Sequence, residues 1–291
     1  MRLPRYFALT LAVGVCSLGT LGAVFSVQVN TTQGQAIVHD AEMDAALDDA
    51  AAIPVTQPEA TSTEEKIRVP ILIYHTASPD RPGITNEQIA FSVTPQILEA
   101  QLAYLSDHGY TAISMDELVH DIAVGTTSPV AKPIVLTFDD GWESQYAYAF
   151  PLLKKYHMTA TFFIYPNPIG RDPRFMTWDQ VRELRDGGMT IGDHTYTHPY
   201  LSKLTPAQLT HEVVGSKTVL EQELGQPVTH FASPFGYTSD ALVSLLKSAG
   251  YVSGRTTYPG ASHSQEDQFA LTGFLVHRDL RDFEWMVAFA K

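Results

Sequence analysis

Short apolar runs alternate along the chain with segments in which apolar residues recur every three or four positions. The apolar runs predict strands, because they are short and rich in β-branched and aromatic residues. Two of them begin near a proline, which is tolerated at the start of a strand. The predicted strands are RVPILIY (68–74), KPIVLTF (132–138), ATFFIY (160–165), MTIGD (189–193) and VTHFA (228–232).

The segments with helical periodicity lie between and after these strands. Several open on Ser or Thr, which caps a helix, and close on Gly. The predicted helices cover 94–109, 114–122, 144–157, 177–188, 205–225, 238–250 and 278–289, and Pro151 is expected to kink or split the third. Strands that alternate with helices predict an α/β fold with a mainly parallel sheet, either closed as a barrel or open and doubly wound.

The first part of the chain is an apolar segment preceded by Arg2 and Arg5. It is long enough for a membrane-spanning helix, which needs about 20 residues, and the arginines favour an N-terminus inside the cell. A cleaved signal peptide is the alternative. We therefore expect residues 1–29 to be a signal anchor or a signal peptide, and the protein to be exported and either membrane-anchored or secreted.

Residues 30–66 are acidic, rich in Ala, Thr and Pro, and poor in aromatic residues. Such a segment cannot bury enough apolar surface to fold alone, so it predicts a flexible linker. Residues 67–291 would then form one folded domain. The formal net charge of −13 argues against a nucleic-acid partner, and the single cysteine, Cys16, leaves no intramolecular disulfide.

Polar side chains cluster where the predicted strands end. His75 follows the first strand, Asp139 and Asp140 follow the second, and His194 and His198 follow the fourth. The carboxyl ends of parallel strands meet at one edge of a barrel, where active sites form. We expect the second strand to stop before the two aspartates, with the next glycine allowing a turn that points both carboxylates into the cleft.

The histidines of HTYTH (194–198) and the aspartates of TFDDG (137–141) are each weak signals when taken separately. Histidines so spaced are often ordinary surface or core residues, and Asp-Asp-Gly is also a good turn sequence. At strand ends of one sheet, however, they form a His, His, Asp set. Three protein ligands and one open position are typical of a catalytic zinc site.

From residue 68 to about 289 the sequence resembles the polysaccharide deacetylases of carbohydrate esterase family four, which contain the NodB homology domain. The resemblance rests on TFDDG, HTYTH and FASPFGY (231–237), and within the family it points to the extracellular poly-N-acetylglucosamine deacetylase branch. It implies a distorted (β/α) barrel of the NodB type with one divalent metal ion at the strand ends, either Zn or else Co, Ni or Fe.

The resemblance assigns Asp139 as the general base and Asp140, His194 and His198 as the metal ligands. A metal ion lowers the pKa of a bound water towards about 7, and a free carboxylate can take the proton as the water attacks an acetamide carbonyl. By the same resemblance, the oxyanion would be held by the metal and by the backbone N–H of Phe235.

The acid that protonates the leaving amine has two candidates. His277 closes FLVH, which resembles the family's late Leu-x-His motif, and His75 ends the first strand; each could instead be a structural or surface histidine. Asp193 could be a hydrogen-bond acceptor behind the metal ligands, or it could be solvated. Most family members have an arginine that orients the base where this chain has Ala232, but an alanine is usual at this position in the branch that the sequence resembles. Ser233 replaces an aromatic residue that is usual in that branch.

These assignments predict a metal-dependent hydrolase that removes N-acetyl groups from N-acetylglucosamine residues of an extracytoplasmic polysaccharide. Candidate substrate contacts are Pro234, Phe235, Tyr237 and Trp142, although Trp142 could simply pack at the barrel rim. The alternative functions are an O-acetyl esterase acting on xylan and a non-catalytic glycan-binding module on the same scaffold. We expect a monomer that contacts the membrane through its N-terminal segment.

Overall fold

The computed structural model describes residues 66–127 and 129–288, which form a mixed α/β domain. The predicted signal segment and nearly all of the predicted linker, residues 1–65, lie outside the described residues. Within the described ranges, no helix combines the length and the apolar character that a membrane crossing requires.

The strands of the described residues are short, and most of them belong to one sheet. They are β1 (Ile67–Arg68), β2 (Ile71–Tyr74), β3 (Thr76–Ala77), β4 (Ser92–Val93), β5 (Thr111–Ala112), β6 (Pro133–Asp140), β7 (Thr161–Ile164), β8 (Thr190–Asp193), β9 (His230–Ala232), β10 (Ser253–Arg255), β11 (Ser262–His263) and β12 (Phe274–Leu275).

Several helices begin at a Ser or Thr whose side chain accepts a hydrogen bond from the backbone N–H three residues further on. The helices are α1 (Asn86–Ala90), α2 (Pro95–Asp107), α3 (Met115–Val124), α4 (Phe150–Lys155), α5 (Trp178–Asp186), α6 (Pro206–Thr210), α7 (Ser216–Leu224), α8 (Asp240–Ser248) and α9 (Leu280–Ala288). One-turn π-helical segments, Gln145–Ala149 and His211–Gly215, precede α4 and α7. Turns of 3₁₀ helix cover Leu201–Lys203 and Pro234–Gly236.

A curled parallel sheet forms the centre of the domain. Its strand order is β10-β9-β8-β7-β6-β2-β12, with β5 beside the start of β6, and these strand pairs are all parallel. Shortly before β12, Leu271 forms a parallel bridge with Arg255 of β10. The segment that leads into β12 therefore lies against both ends of the strand path, so the sheet curls towards closure.

Alternate residues of each strand face opposite sides of the sheet. Inside the curl lies one buried cluster, to which several strands, α3 and the segment before β12 contribute and which includes Ile71, Val135, Phe163, Ala232 and Leu271. The other face of the same strands contributes to a larger cluster beneath the helices, which includes Leu72, Leu136, Phe162 and Ile191. The core thus has two layers, one on each side of the sheet.

The five predicted strands are present as β2, β6, β7, β8 and β9. The expected end of the second one is wrong, because β6 does not stop at Phe138 but continues through Asp139 and Asp140, both of which pair with β7. The strand ends at Asp140 because Asp140 itself takes a left-handed φ of 83°, and Gly141 follows with a φ of 83°. The turn expected at Gly141 therefore begins at Asp140.

Two of the predicted helices are interrupted. The segment 144–157 divides into a π-helical turn and α4, which begins just before Pro151, as the proline indicates. The segment 205–225 divides into α6, a π-helical turn and α7, which its periodicity does not indicate. The pattern also misses α1, which has five residues, and most strands of two or three residues, because such short elements do not show a period.

Candidate active site

The predicted site residues gather at the carboxyl edge of the curled sheet. Asp139 and Asp140 end β6, His75 directly follows β2, and His194 directly follows β8. Arg255, which the sequence pattern does not single out, ends β10, four places from β6 along the strand path. The curl brings these distant strand ends together.

Asp139 points into the curl and exposes only 1% of its surface. Nη2 of Arg255 donates to its two carboxylate oxygens at 2.5 and 2.6 Å. Burial alone would raise the pKa of Asp139, but the charges of Arg255, His194 and His75 and the Arg255 hydrogen bonds outweigh burial and hold this pKa below its usual value. Asp139 is therefore ionised at neutral pH, which is the state that a general base requires.

Arg255 supplies the positive charge that FASPFGY (231–237) lacks at Ala232. Its side chain is fully buried, its Nη1 donates to the carbonyl of Thr256 at 3.0 Å, and its guanidinium lies 5.1 Å from the centre of the Phe163 ring. The signal in the sequence is one arginine in the short segment YVSGRT (251–256), which has no periodicity to mark it as a strand.

Asp140 presents one free carboxylate oxygen to two histidines. Its Oδ2 accepts a hydrogen bond from the indole N–H of Trp142 at 2.8 Å. Its Oδ1 lies 3.7 Å from Nε2 of His194 and 3.5 Å from Nε2 of His198. Trp142 is half-buried and stacks on Phe175, with ring centres 4.3 Å apart. The structure thus gives Trp142 two contacts at the rim, one of which orients Asp140.

His194 is held in the tautomer that a metal ligand needs. Its Nδ1 lies 2.6 Å from the carbonyl oxygen of Ala232, and because a carbonyl only accepts, Nδ1 carries the proton and Nε2 keeps its lone pair. Burial, which opposes the cation, lowers the pKa of His194 to about 4. His194 is therefore neutral throughout the neutral pH range, which is the state in which an imidazole can bind a metal ion.

One oxygen of Asp140 and one nitrogen each of His194 and His198 lie within 4.8 Å of one another. Two ligand atoms bound to zinc at about 2.0–2.1 Å and at the tetrahedral angle lie about 3.3–3.4 Å apart. The two Asp140–histidine separations of 3.5 and 3.7 Å are close to that value. The donor set and these two separations therefore fit a divalent metal ion with an open coordination position.

The two candidate acids follow neighbouring strands, because β12 pairs with β2. His75 places Nε2 4.0 Å from Oδ2 of Asp139, and its ring makes an edge contact with Phe91 at 5.2 Å. His277 is exposed, and its Nδ1 lies 3.3 Å from the carbonyl oxygen of Ala90. Of the two, His75 is the one that the described contacts bring to Asp139.

Asp193 is a buried hydrogen-bond acceptor rather than a solvated residue. It accepts from the hydroxyl of Tyr251 at 2.6 Å, from Oγ of Ser216 at 2.7 Å and from the backbone N–H of Thr195 at 2.7 Å. Burial, partly offset by these hydrogen bonds, raises the pKa of Asp193 to about 7. Asp193 therefore lies behind the histidines, where it holds the backbone that carries them.

The candidate substrate contacts in FASPFGY (231–237) differ in exposure. Pro234 is buried and Tyr237 is half-buried, whereas Phe235 is 52% exposed and has a left-handed φ of 57°. The Phe235 ring stacks on Tyr200 with centres 4.0 Å apart and meets His198 at 4.9 Å. Tyr200, an exposed residue that the sequence pattern does not single out, thus lies beside the cluster formed by Asp140, His194 and His198.

Comparison with known proteins agrees with this geometry. A family model described as Polysaccharide deacetylase matches residues 126–254, a range that contains Asp139, Asp140, His194 and His198. YxkH of Bacillus subtilis (strain 168), assigned by its name to the polysaccharide deacetylases, is 32% identical over 209 residues, which cover 72% of this chain and 71% of YxkH. The chain belongs to the polysaccharide deacetylase family.

Two further relatives place this polysaccharide deacetylase among known structures and activities. The solved Streptococcus pyogenes deacetylase PplD in complex with acetate has a TM-score of 0.68 and 28% identity, covering 74% of this chain and 94% of that chain. The poly-β-1,6-N-acetyl-D-glucosamine N-deacetylase of Staphylococcus epidermidis is 25% identical over 202 residues, which cover 65% of this chain and 69% of the relative. As a member of this family, the polysaccharide deacetylase is a hydrolase.

Proposed function

We propose that this polysaccharide deacetylase uses a divalent metal ion to remove N-acetyl groups from N-acetylglucosamine residues of a polysaccharide outside the cytoplasmic membrane. The observation that carries the proposal is an ionised, buried Asp139 next to the converging ligand atoms of Asp140, His194 and His198. A glycan-binding module needs neither a general base nor a set of metal ligands. The name of the S. epidermidis relative supports N-acetylglucosamine as the acetylated sugar.

Asp139 is the proposed general base. Its carboxylate lies beside the three proposed metal ligands. Arg255 keeps this carboxylate charged and fixed in orientation through two short hydrogen bonds. When a water attacks the acetamide carbonyl carbon, Asp139 takes the proton that the water loses. The low pKa of Asp139 ensures that the base is unprotonated before the attack throughout the neutral range.

Asp140, His194 and His198 are the proposed ligands, through one Oδ1 and two Nε2 atoms. A divalent ion bound there supplies Lewis-acid polarisation of the acetyl carbonyl and acidifies water. Trp142 and the carbonyl of Ala232 orient two of these ligands before the ion binds. The two imidazoles and one carboxylate favour Zn, with Co, Ni or Fe as the other candidates.

The remaining steps use Phe235 and one histidine. The backbone N–H of Phe235 is the proposed donor to the oxyanion, and the left-handed φ of Phe235 sets the direction of that N–H. We assign protonation of the leaving amine to His75, because His75 lies 4.0 Å from Asp139. His75→Gln is expected to lower kcat about 10²–10⁴-fold, and His277→Gln much less. A larger loss for His277→Gln would reverse the assignment.

We also propose that residues 1–29 direct export, that residues 30–66 form a linker, and that residues 67–291 form a distorted barrel of the NodB type. The apolar segment after Arg2 and Arg5 and the acidic composition of the linker support this arrangement. Fractionation of cells that express the full chain tests it, since the protein is expected in the membrane fraction or the medium. Recovery in the cytoplasm alone would contradict it.

Acetate release from a panel of polymers tests the proposed activity. The panel contains poly-β-1,6-N-acetylglucosamine, chitin oligomers, peptidoglycan and acetylated xylan, each assayed with metal-loaded and chelator-treated protein. We expect release from an N-acetylglucosamine polymer that stops on metal removal and returns on metal addition. Release from xylan alone would indicate an O-acetyl esterase, and sugar binding without acetate release would indicate a binding module.

Asp139→Asn tests the assigned mechanism on the same panel. The substitution keeps the shape of the side chain but removes the base, so we expect acetate release to be lost while metal binding is retained. Asp179→Asn is the matched control, because Asp179 is an 84% exposed acid on α5 that pairs with Arg182. Normal acetate release by Asp139→Asn would contradict the mechanism.

A further inference from the structure

The loop between the two proposed metal histidines is anchored by an acid from another element. The carboxylate Oε2 of Glu212 accepts from the backbone N–H groups of Tyr196 and Thr197 at 3.0 and 2.8 Å. Its Oε1 accepts from Oγ1 of Thr197 at 2.7 Å. Glu212 is 7% exposed, so these hydrogen bonds are shielded from water. Hydrogen bonds to a carboxylate are about twice as strong as those between neutral groups.

The same loop has backbone conformations that need such support. Thr195 and His198 have left-handed φ values of 67° and 59°, which are uncommon for residues with a side chain and unfavourable for a β-branched one. The N–H of Thr195 donates to Oδ1 of Asp193 at 2.7 Å, and the N–H of His198 donates to Oγ1 of Thr195 at 3.1 Å. Together with the two that Glu212 accepts, four consecutive backbone N–H groups are bound by side-chain oxygens.

The helix that carries Glu212 is shaped to reach this loop. Glu212 lies in the π-helical turn His211–Gly215, and Ser216 begins the α-helix that follows. Glu212 and Ser216 are four residues apart and therefore face the same side. Oγ of Ser216 donates to the carboxylate of Asp193 at 2.7 Å, whereas Glu212 accepts from the backbone of Tyr196 and Thr197. The two residues therefore hold the chain before and after His194. π-Helical turns occur frequently at functional sites.

We propose that Glu212 is a positioning residue for the metal site: it holds residues 196 and 197 so that His198 reaches Asp140 at the correct distance from His194 before a metal ion binds. This inference rests on the proposed metal-dependent function. Glu212 acts through the backbone of the loop and does not itself contact Asp140 or the imidazoles in the described hydrogen bonds. Without Glu212, part of the free energy of metal binding would be used to order the strained loop, and the binding free energy would be weaker by the cost of that ordering.

Glu212→Gln tests the proposal with Co²⁺ as the probe. The amide keeps the shape of the side chain but removes its charge. Its oxygen can still accept from the two loop N–H groups and its nitrogen can donate to Oγ1 of Thr197, but these bonds are then between neutral groups and about half as strong. We expect the Co²⁺ dissociation constant, measured against a competing chelator, to rise about 10–100-fold. We also expect a changed visible absorption spectrum of bound Co²⁺ and faster hydrogen exchange at the amides of Tyr196 and Thr197.

Glu221→Gln is the matched control. Glu221 also accepts from a backbone N–H, that of Val228 at 3.0 Å, and from Lys217 at 2.7 Å, but it supports a different loop. Its substitution is expected to leave Co²⁺ affinity and spectrum unchanged. Thr197→Val is a milder second variant, because it removes only the hydroxyl bond to Glu212, and it is expected to weaken Co²⁺ binding in the same direction.

A purely structural role for Glu212 would give a different result. Folded Glu212→Gln protein would then bind Co²⁺ with wild-type affinity and spectrum even if its unfolding free energy were lower. That outcome overturns the proposal, as does wild-type affinity of Thr197→Val when Glu212→Gln does not fold. Failure of the proposed function is distinguishable, since the wild-type protein itself would then neither bind the ion stoichiometrically nor release acetate.

Discussion

Replacing Arg255 by methionine should destabilise the protein strongly, because it leaves Asp139 charged and buried without its partner. The two side chains are 0% and 2% exposed, and Nη2 lies 2.5 and 2.6 Å from the carboxylate oxygens. Solvent screens such a pair little, and removing one partner of a buried ion pair costs about 3–5 kcal/mol. For a domain of this size, that loss lowers Tm by roughly 6–20 °C.

The cost should depend on pH in a direction that the structure determines. The pKa of Asp139 is lowered in the folded protein, so its stabilising contribution is present above the unfolded-state pKa of about 3.9 and is lost as pH falls through the folded value. Without Arg255, burial raises the pKa of Asp139, and its ionised form becomes more destabilising as pH rises. The stability difference between wild type and Arg255→Met should therefore be largest at neutral pH and shrink towards about pH 4.

Urea unfolding at neutral pH and at about pH 4.5 measures this difference. The double variant Arg255→Met/Asp139→Asn should regain most of the lost stability at neutral pH, since no buried charge remains, but not the activity. Arg281→Met is the control, because its side chain is 90% exposed and 3.6 Å from Asp279, and it should change stability by less than about 0.5 kcal/mol. A loss below about 1 kcal/mol for Arg255→Met, equal at both pH values, would refute the reasoning.

Three further predictions concern the metal ligands and the inside of the curl. Trp142→Phe keeps the ring but removes the N–H that orients Asp140, so metal affinity in a chelator competition should fall about 10–100-fold; unchanged affinity would show that this bond does not matter. Gly192→Ala places a Cβ 2.4 Å from Cδ1 of Phe163, and urea unfolding should show a loss of about 1–3 kcal/mol, which full wild-type stability would contradict. In metal-free protein, NMR titration should find the ring of His194 neutral down to about pH 4, whereas a midpoint near its ordinary value of about 6.5 would show that burial does not control this group.

The positions of the proposed ligands could be predicted from the sequence because they lie at or just after the ends of β6 and β8. These strands contain enough apolar residues to be recognised, and parallel strands place their carboxyl ends at one edge whatever their exact bounds. Asp140, His194 and His198 therefore come together in the structure as the strand pattern indicates. The resemblance carried by TFDDG and HTYTH gives these positions their proposed chemical roles.

The partners of those residues could not be predicted in the same way. Arg255 lies on a three-residue strand and Glu212 on a π-helical turn, and neither element has a period that the sequence displays. Arg255 acts on Asp139, which is 116 residues away and is reached only when the sheet curls, whereas Glu212 reaches back 15 and 16 residues within the connection between β8 and β9. The sequence leaves the assignment of the acid open for a similar reason, since the distance between His75 and Asp139 depends on how β2 lies beside β6.

The sequence by itself thus determined the α/β class, the parallel orientation of the main strands and the chemical types at their ends, because these depend on local periodicity and on strand polarity. Only the tertiary structure decided the electrostatics of the site. Whether Asp139 is ionised, which nitrogen His194 presents and how the strained histidine loop is held are set by burial and by partners from distant elements. Burial and pairing are properties of the packed chain, and no short segment of the sequence contains them.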